Sequence, residues 1–149
     1  MIRRWWLGAF VIALLASGLL AARYTLDTAF GSDDHRTYNR HGEAFDVGET
    51  FSGVDYPTGV QAATEFAAIV AEPGAYTTDL TFAPTTAQAA LRWVTQQPGV
   101  STVIPGARNT AQARQNAAAG DLPPLGERAL GEIEALYDKY FRAEVHARW

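Results

Sequence analysis

The residues with the clearest capacity for chemistry lie in the run 100–116, where an apolar stretch is followed by Pro-Gly-Ala-Arg and a helix-forming sequence. Asn109 is a suitable N-cap, and Gln112 follows three residues later, as in a capping box. A helix start presents free backbone N–H groups and a positive dipole end, so it attracts anions. Arg108 adds a cation at the same point. The run predicts a strand over 100–104, a turn and a phosphate site at the helix start; an ordinary capped helix is the alternative.

Other candidate groups are weaker. The runs Asp-Asp-His at 33–35 and His-Gly-Glu at 41–43 contain residue types that bind metals, but they lack the regular spacing of helical ligands. We interpret them as solvated loop residues. Ser17 has no plausible His–Asp partner set in the sequence, and its Ala-Ser-Gly setting is not a nucleophile elbow.

The composition restricts the class of protein. The 149 residues are enough for one modest core, and nearly half of them are apolar, which favours a folded domain over disorder. The net charge of −4 and the lack of a basic block argue against nucleic-acid binding. The chain has no cysteine, which excludes disulfides, thiolate metal sites and a cysteine nucleophile.

The elements that must position these residues are mainly helices. Apolar residues at helical spacing and Pro-Gly stops predict helices over 58–71, 85–97, 109–119 and 126–142. We interpret Trp93 as a packing residue of the second helix. A loop rich in Gly, Asp, Asn and Thr is predicted over 27–57, with room for a short turn of helix, and loops of this length are usually functional or disordered.

The amino-terminal segment has two interpretations. Residues 5–22 carry no charge and follow two arginines, as in a secretory signal or a short membrane span. A strand that is buried on both faces has the same near-continuous apolar run. Hydropathy cannot separate these environments, because both exclude water.

Three patterns that occur in order along the chain decide between them. The run Leu15-Ala-Ser-Gly-Leu-Leu20 comes first, Ala-Leu-Arg-Trp follows at 90–93, and Ile-Pro-Gly-Ala-Arg at 104–108 comes last. Over about residues 8–149 the chain thereby resembles the aldo-keto reductases, whose barrels end with such segments. The resemblance implies that Phe10 to Leu15 form a barrel strand and that residues 1–7 are an unmatched start.

The resemblance also implies the fold class, which is α/β. A complete (β/α)8 barrel needs about 250 residues. The chain is therefore expected to be the C-terminal part of a TIM (β/α)8 barrel, with strands 7 and 8, their helices and the C-terminal helix, in one partial domain over 1–149. Because two strands cannot close a barrel, we expect self-association or a partner chain.

The cofactor implied by the resemblance is NADP(H). In the family, the loop after the seventh strand lies along the pyrophosphate, and the last strand-turn-helix holds the 2′-phosphate of the adenosine. By position, the cofactor-binding residues would be Leu15, Ser17, Gly18 and Arg23 in the first segment, and Gly106, Ala107, Arg108, Gln112, Gln115 and Asn116 in the second. Two residues depart from the family pattern, since Leu14 stands where proline is usual and Ala22 where glycine is usual.

The catalytic residues of the family have no counterpart in these 149 residues. The family uses an Asp, a Tyr, a Lys and a His on early barrel strands, and the only lysine here, Lys139, lies on the last predicted helix. The resemblance implies NADP(H)-dependent oxidoreduction of a small carbonyl substrate in the cytoplasm. We expect the isolated chain to be inactive and assign no catalytic or metal-binding residue. The alternatives are a small membrane-anchored or exported binding protein and a truncated gene product.

Overall fold

The computed structural model describes residues 15–148, and within this range the chain folds into helices. The α-helices are α1 (His35–Tyr38), α2 (Tyr56–Ala71), α3 (Thr86–Thr95), α4 (Thr110–Ala118), α5 (Glu127–Tyr140) and α6 (Arg142–Val145). Short 3-10 segments occur at Ala16–Ala21, Val47–Glu49, Phe51–Gly53, Ala119–Asp121 and His146–Arg148. The four predicted helices are confirmed as α2 to α5, with ends shifted by one or two residues.

The main core lies where α2 packs on α5. Phe66 and Val70 of α2 are buried in one cluster with Ile133 and Leu136 of α5. Asp55 caps α2 by accepting from the Thr58 N–H, while the sequence Glu-Pro-Gly at 72–74 follows its last turn. The apolar stripe that predicted each helix is therefore the face that the pair buries.

Helix α3 joins the main core to a second, smaller cluster. Thr85 and Gln88 form a complete capping box at its start. Leu91 and Val94 are buried against Ala119, while Trp93 packs against both clusters, as predicted. The contacts of α3 with the 3-10 segment Ala16–Ala21 and with α4 place it between the two segments that the sequence marks as functional.

Next to the C-terminal end of α3, the backbone around Tyr76 pairs with the backbone around Leu125. The chain at Tyr76 runs antiparallel to Leu125 in an isolated bridge, with the Thr77 N–H donating to Pro124 at 2.9 Å. Gln96 of α3 completes it, because its side chain both accepts from the Leu125 N–H at 2.9 Å and donates to the Leu125 carbonyl at 3.3 Å. The buried backbone of Leu125 is thus hydrogen-bonded on both sides without a sheet.

The predicted strand over 100–104 is wrong for the described part of the chain. This segment forms no strand ladder with any residue of 15–148, and the side chain of Ile104 is 81% exposed. Val103 is half-buried and packs against the Leu91 cluster. The physical reason is that a strand needs a neighbour for its N–H and C=O groups, and residues 15–148 place none beside it.

The predicted strand Phe10 to Leu15 lies outside the described residues except for Leu15. Leu14, which departs from the family pattern, also lies outside them. Leu15 itself has φ −115° and ψ 13° and begins the 3-10 segment Ala16–Ala21. The helices of residues 15–148 include none with the length and hydropathy to span a membrane. Where the sequence predicts a long loop over 27–57, the structure has α1 and two 3-10 turns, and α2 already begins at Tyr56.

Truncation of Phe66 tests the α2–α5 core. Phe66 is 3% exposed, so Phe66→Ala is expected to lower the free energy of unfolding by about 3–5 kcal/mol, from lost burial and the cavity left behind. Phe82→Ala is the matched control, because Phe82 is 57% exposed, and it is expected to change the value by less than about 0.5 kcal/mol. Urea unfolding followed by circular dichroism measures both; equal effects would contradict this core.

Candidate functional site

The turn before α4 is held by side-chain amides of α4 and its N-cap. Asn109 caps the helix by accepting from the Gln112 N–H at 2.9 Å, as predicted. In a capping box, Gln112 would accept from the N–H of Asn109. Its Oε1 accepts instead from the N–H of Arg108, at 2.8 Å. The capping interaction therefore reaches one residue further back and fixes the backbone of Arg108.

A second bond ties the far end of α4 to the same turn. Asn116 Nδ2 donates to the carbonyl of Gly106 at 3.0 Å. From the other side, the buried Gln88 of α3 donates to the carbonyl of Gln115 at 3.1 Å, which fixes α4 against α3. The predicted site residues 106–116 are thus brought together as one structural unit.

The outer surface of this unit is free for a ligand. The side chain of Arg108 is exposed and forms no ion pair with any residue of 15–148, and Ala107 and Gln115 are also exposed. A Cβ placed on Gly106 would meet no atom within 4 Å, so the protein itself leaves this space open. An exposed guanidinium beside a helix N-terminus is a donor set that suits a phosphate group.

The first predicted segment, residues 15–24, has an unusual backbone. Ser17 and Gly18 have φ values of 55° and 98°, in the left-handed region. At Gly18 a Cβ would come within 2.6 Å of the Tyr24 hydroxyl, so only glycine fits there. Ala22, which stands where the resembling family has glycine, also adopts a left-handed conformation with φ 51°, which costs alanine more than glycine.

The long loop packs directly onto this segment, a contact that sequence reasoning did not find. Ser17 Oγ accepts from the N–H of Phe51 at 3.1 Å, and its carbonyl accepts from Arg36 Nη1 at 3.4 Å. Arg36 also donates to the hydroxyl of Tyr24. Arg23, the other charged residue predicted here, is exposed and forms no ion pair within residues 15–148.

Arg36 is held in place by Asp34 and by aromatic rings. Asp34 Oδ2 accepts from Arg36 Nη2 at 2.5 Å and Oδ1 accepts from Nε at 2.8 Å, a bidentate pair. The guanidinium carbon lies 4.5 Å from the centre of the Phe30 ring. The side-chain hydrogen bonds from Arg36 lower the pKa of Asp34 to about 2, although partial burial opposes the shift.

A second arginine of the loop, Arg40, fills the space between aromatic side chains. Its guanidinium carbon lies 4.7 Å from the ring centre of Tyr56 and 5.8 Å from that of Phe51, and its Nε donates to the carbonyl of Arg36 at 2.9 Å. Arg36 lies in α1 and Arg40 in the turn that follows it, and both side chains reach one aromatic cluster. The spacing of Arg36 and Arg40 next to scattered aromatics is the sequence signal that could have located this contact.

The interior of the loop is organised by Asn39, which is fully buried. Its Oδ1 accepts from the N–H groups of Ala44 and Phe45, each at 2.8 Å, and its Nδ2 donates to Thr50 Oγ1 at 3.2 Å. One side chain thereby closes the stretch from α1 to the 3-10 turn at Phe51. This explains how a loop with little regular structure holds a fixed position over Ser17.

His35 lies beside Ser17 and Asp34 lies beside His35, but the three side chains do not form a catalytic set. His35 Nε2 lies 3.4 Å from Ser17 Oγ, and its Nδ1 lies 3.5 Å from Asp34 Oδ1. The arrangement does not form a proton relay, because the second distance is too long for a hydrogen bond and the Asp34 carboxylate is already bound to Arg36. We therefore assign no nucleophile.

The remaining polar candidates are structural. In the run 41–43, Glu43 Oε2 accepts from the N–H of His41 at 2.8 Å, and residues 15–148 contain no group of three acidic or histidine side chains that could hold a metal. Lys139 is exposed and pairs with Glu65 at 2.9 Å. The two segments for which the sequence predicts cofactor binding, 15–24 and 106–116, both lie next to α3.

The comparison with protein families identifies the family of this chain. The sequence model of the Aldo/keto reductase family matches residues 7–138, which is more than half of the chain and includes both segments. The chain belongs to the aldo/keto reductase family, and this membership relates it to TIM-barrel proteins. No curated protein sequence matches the chain.

The Asp34–Arg36 pair predicts a specific acid sensitivity. Because the folded-state pKa of Asp34 is depressed to about 2 from 3.8, the pair stabilises the fold fully above the unfolded-state value and loses this contribution as the pH falls from about 4 toward 2. Asp34→Asn keeps a side-chain oxygen to cap α1 but removes the charge. The free energy of unfolding of the variant is expected to fall less steeply than that of the wild type over this window.

Acid titration of both proteins, followed by circular dichroism, measures the difference. Asp79→Asn serves as the control, because Asp79 is exposed and its replacement removes one carboxylate without touching the Asp34–Arg36 pair. Parallel pH profiles for wild type and Asp34→Asn would show that the pair does not stabilise the loop.

Proposed function

We propose that this chain retains the phosphate-binding part of an NADP(H) site and binds the cofactor through residues 106–116. Family membership supports an oxidoreductase-related function. The single observation that supports the finer proposal is the exposed guanidinium of Arg108, which pairs with no residue of 15–148, on a turn fixed by three amide side chains. A rigid turn that presents a cation beside a helix N-terminus is suited to the 2′-phosphate, the group that distinguishes NADP(H) from NAD(H).

The first segment fits a more limited role in this proposal. Leu15 packs against the main core, and the hydroxyl of Ser17 is occupied by the Phe51 N–H, so neither side chain is free to move far. Two residues of the segment then serve the pyrophosphate. Gly18 lets the backbone come close to it, and the exposed Arg23 attracts its negative charge. The long loop would then lie over this end of the cofactor, with Arg36 supporting the backbone at Ser17.

The proposed chemistry is limited by the residues present. When bound, the nicotinamide supplies or accepts a hydride, and a carbonyl substrate additionally needs a proton donor close to its oxygen. None of the tyrosine, lysine, histidine or aspartate residues of this sequence lies in a motif that matches the catalytic motifs of the family. We therefore propose that these 149 residues do not reduce carbonyl compounds by themselves, and that a complete cytoplasmic enzyme would act on a small carbonyl substrate.

Self-association is part of the proposal. The apolar segment 100–104 pairs with no strand within the described residues, and the exposed side chains include Leu26, at 67%, Phe82 and Ile104. An unpaired edge with apolar side chains favours contact with another chain.

Binding of adenosine phosphates tests the cofactor site directly. Calorimetric titration is expected to show that 2′,5′-ADP binds more tightly than 5′-ADP, because only the former carries the 2′-phosphate. Arg108→Ala is expected to weaken 2′,5′-ADP binding by about tenfold or more, the size of a lost charge-assisted hydrogen bond. Arg114→Ala is the matched control, as Arg114 is an exposed cation within α4, and a small change is expected. Equal affinities for the two nucleotides would contradict the proposal.

The absence of catalysis has its own test. The purified chain is expected to oxidise NADPH in the presence of an aromatic aldehyde no faster than buffer alone, because no proton donor matches the catalytic motifs. The measurement is the decay of NADPH absorbance, with a complete aldo/keto reductase as the positive control. A rate clearly above the blank, proportional to protein concentration, would overturn this part of the proposal.

A further inference from the structure

Helices α2 and α5 leave an open groove of about 370 Å³ on the surface of the main core. Its floor consists of Ile69 of α2 with Ala135 and Leu136 of α5. Leu136 belongs to the main core cluster and Ile69 packs against it, whereas Ala135 is exposed. The groove is therefore an opening into the apolar interface of the helix pair, and it lies outside the two segments for which the sequence predicts cofactor binding.

One end of the groove is closed by a neutral ion pair. Lys139 of α5 donates to both carboxylate oxygens of Glu65 of α2, at 2.9 and 3.0 Å, and the Tyr140 hydroxyl donates to Glu65 Oε1 at 2.5 Å. The hydrogen bonds from Tyr140 and Lys139 lower the pKa of Glu65, so this carboxylate is ionised at neutral pH. Its charge is balanced by that of Lys139.

The other end of the groove carries an excess of negative charge. A single nitrogen of Arg128, Nη1, donates to Glu72 at 2.8 Å and to Glu132 at 2.9 Å. Two carboxylates therefore share one cation, which leaves one negative charge. All three side chains are at least 40% exposed, so a cation from another molecule can reach the carboxylates.

The surface of α2 beside the groove is almost free of charge. Glu65 is the only charged residue among the 16 residues of this helix. A surface helix usually turns charged residues to solvent. Small uncharged residues instead let a second helix approach closely, because short side chains reduce the distance between the two axes. The exposed positions of α2 include Gln61, Thr64, Ala68 and Ala71.

We propose that the α2–α5 groove binds a basic amphipathic helix of a partner protein. The ion pairs join the middle of α2 to the end of α5 and the C-cap of α2 to the start of α5, so the two helices run antiparallel. A third helix can lie along such a pair, with its apolar side chains over Ile69 and Ala135. A lysine or arginine on its flank then reaches Glu72 and Glu132.

Charge favours this occupant over a second copy of the chain. Two copies of the groove would bring their excess negative charges together, and the whole chain has a net charge of −4. Like charges that face each other across an interface oppose binding, whereas a cationic helix neutralises the excess at Glu72 and Glu132. The proposal does not depend on cofactor binding, because no residue of 106–116 lines the groove.

The test uses two fluorescein-labelled synthetic peptides of about 14 residues, about four helical turns. Both carry leucine at helical spacing; the other positions are lysine in the first peptide and glutamate in the second. Fluorescence anisotropy with the full chain is expected to show that the lysine peptide binds at least about tenfold more tightly than the glutamate peptide, from complementary charge. Raising the salt concentration is expected to weaken binding of the lysine peptide.

Two matched pairs of variants locate the binding surface. Ala135→Lys places a cation on the floor of the groove and is expected to weaken the lysine peptide by about tenfold, whereas Ala117→Lys makes the same change at an exposed position of α4 and is expected to have little effect. Glu132→Gln is expected to weaken it by about threefold, the size of one exposed ion pair. Glu134→Gln, also on α5 but outside the groove lining, is its control.

Three outcomes would overturn the proposal. Equal weakening by the variants of each pair would show that the lysine peptide responds only to the net charge of the protein. Equal binding of the two peptides would show that the carboxylates do not select the partner. A wild-type dimer in analytical ultracentrifugation that Ala135→Lys dissociates would assign the groove to a second copy. Because Ala135 and Ala117 are both exposed, circular dichroism is expected to show that both lysine variants keep the fold.

Discussion

The described part of this chain must satisfy its backbone N–H and C=O groups without a sheet, and amide side chains do this at each critical point. Asn39 organises the long loop, Gln96 pairs with both backbone groups of Leu125, and Gln88 fixes α4 through the carbonyl of Gln115. Gln112 and Asn116 hold the turn before α4. Since buried or fixed backbone groups require partners, these side chains perform the role that neighbouring strands perform in a sheet.

The segments 15–24 and 106–109 show two ways to hold an irregular backbone. The turn at 106–109 is fixed by short bonds from its own helix, so its geometry is local. The segment 15–24 is fixed from a distance by the long loop, through Phe51, Arg36 and the aromatic residues around it. The second arrangement depends on charge, because the Asp34 carboxylate orients Arg36 against Ser17.

The packing of the helices gives the described part of the chain its own core. Membership of the aldo/keto reductase family places the chain among oxidoreductase-related proteins. The helices α2 and α5 give it a core that does not require a closed barrel, as Phe66 and Ile133 are buried by one another and by their neighbours. Helix α3 then carries the contacts to both segments, so the spacing between them is set by one rigid element.

The sequence by itself determined the helices α2 to α5, the cap at Asn109 and the family. Local rules were sufficient because Asn109 and the apolar stripes of α2 and α5 act within a few residues of their own position. It also indicated Arg108 as the exposed cation of the turn. The strand over 100–104 was wrong, because an apolar run predicts burial but cannot show whether a neighbouring strand is present.

Only the tertiary structure decided the contacts between distant residues. The bond from Phe51 to Ser17 joins residues 34 positions apart, and the bonds of Gln96 to Leu125 join residues 29 apart. No local propensity encodes such pairs, since they depend on how α2, α3 and the long loop fold back on one another. The same is true of Asn116, whose residue type indicated a ligand contact and whose position in the fold gave it the carbonyl of Gly106.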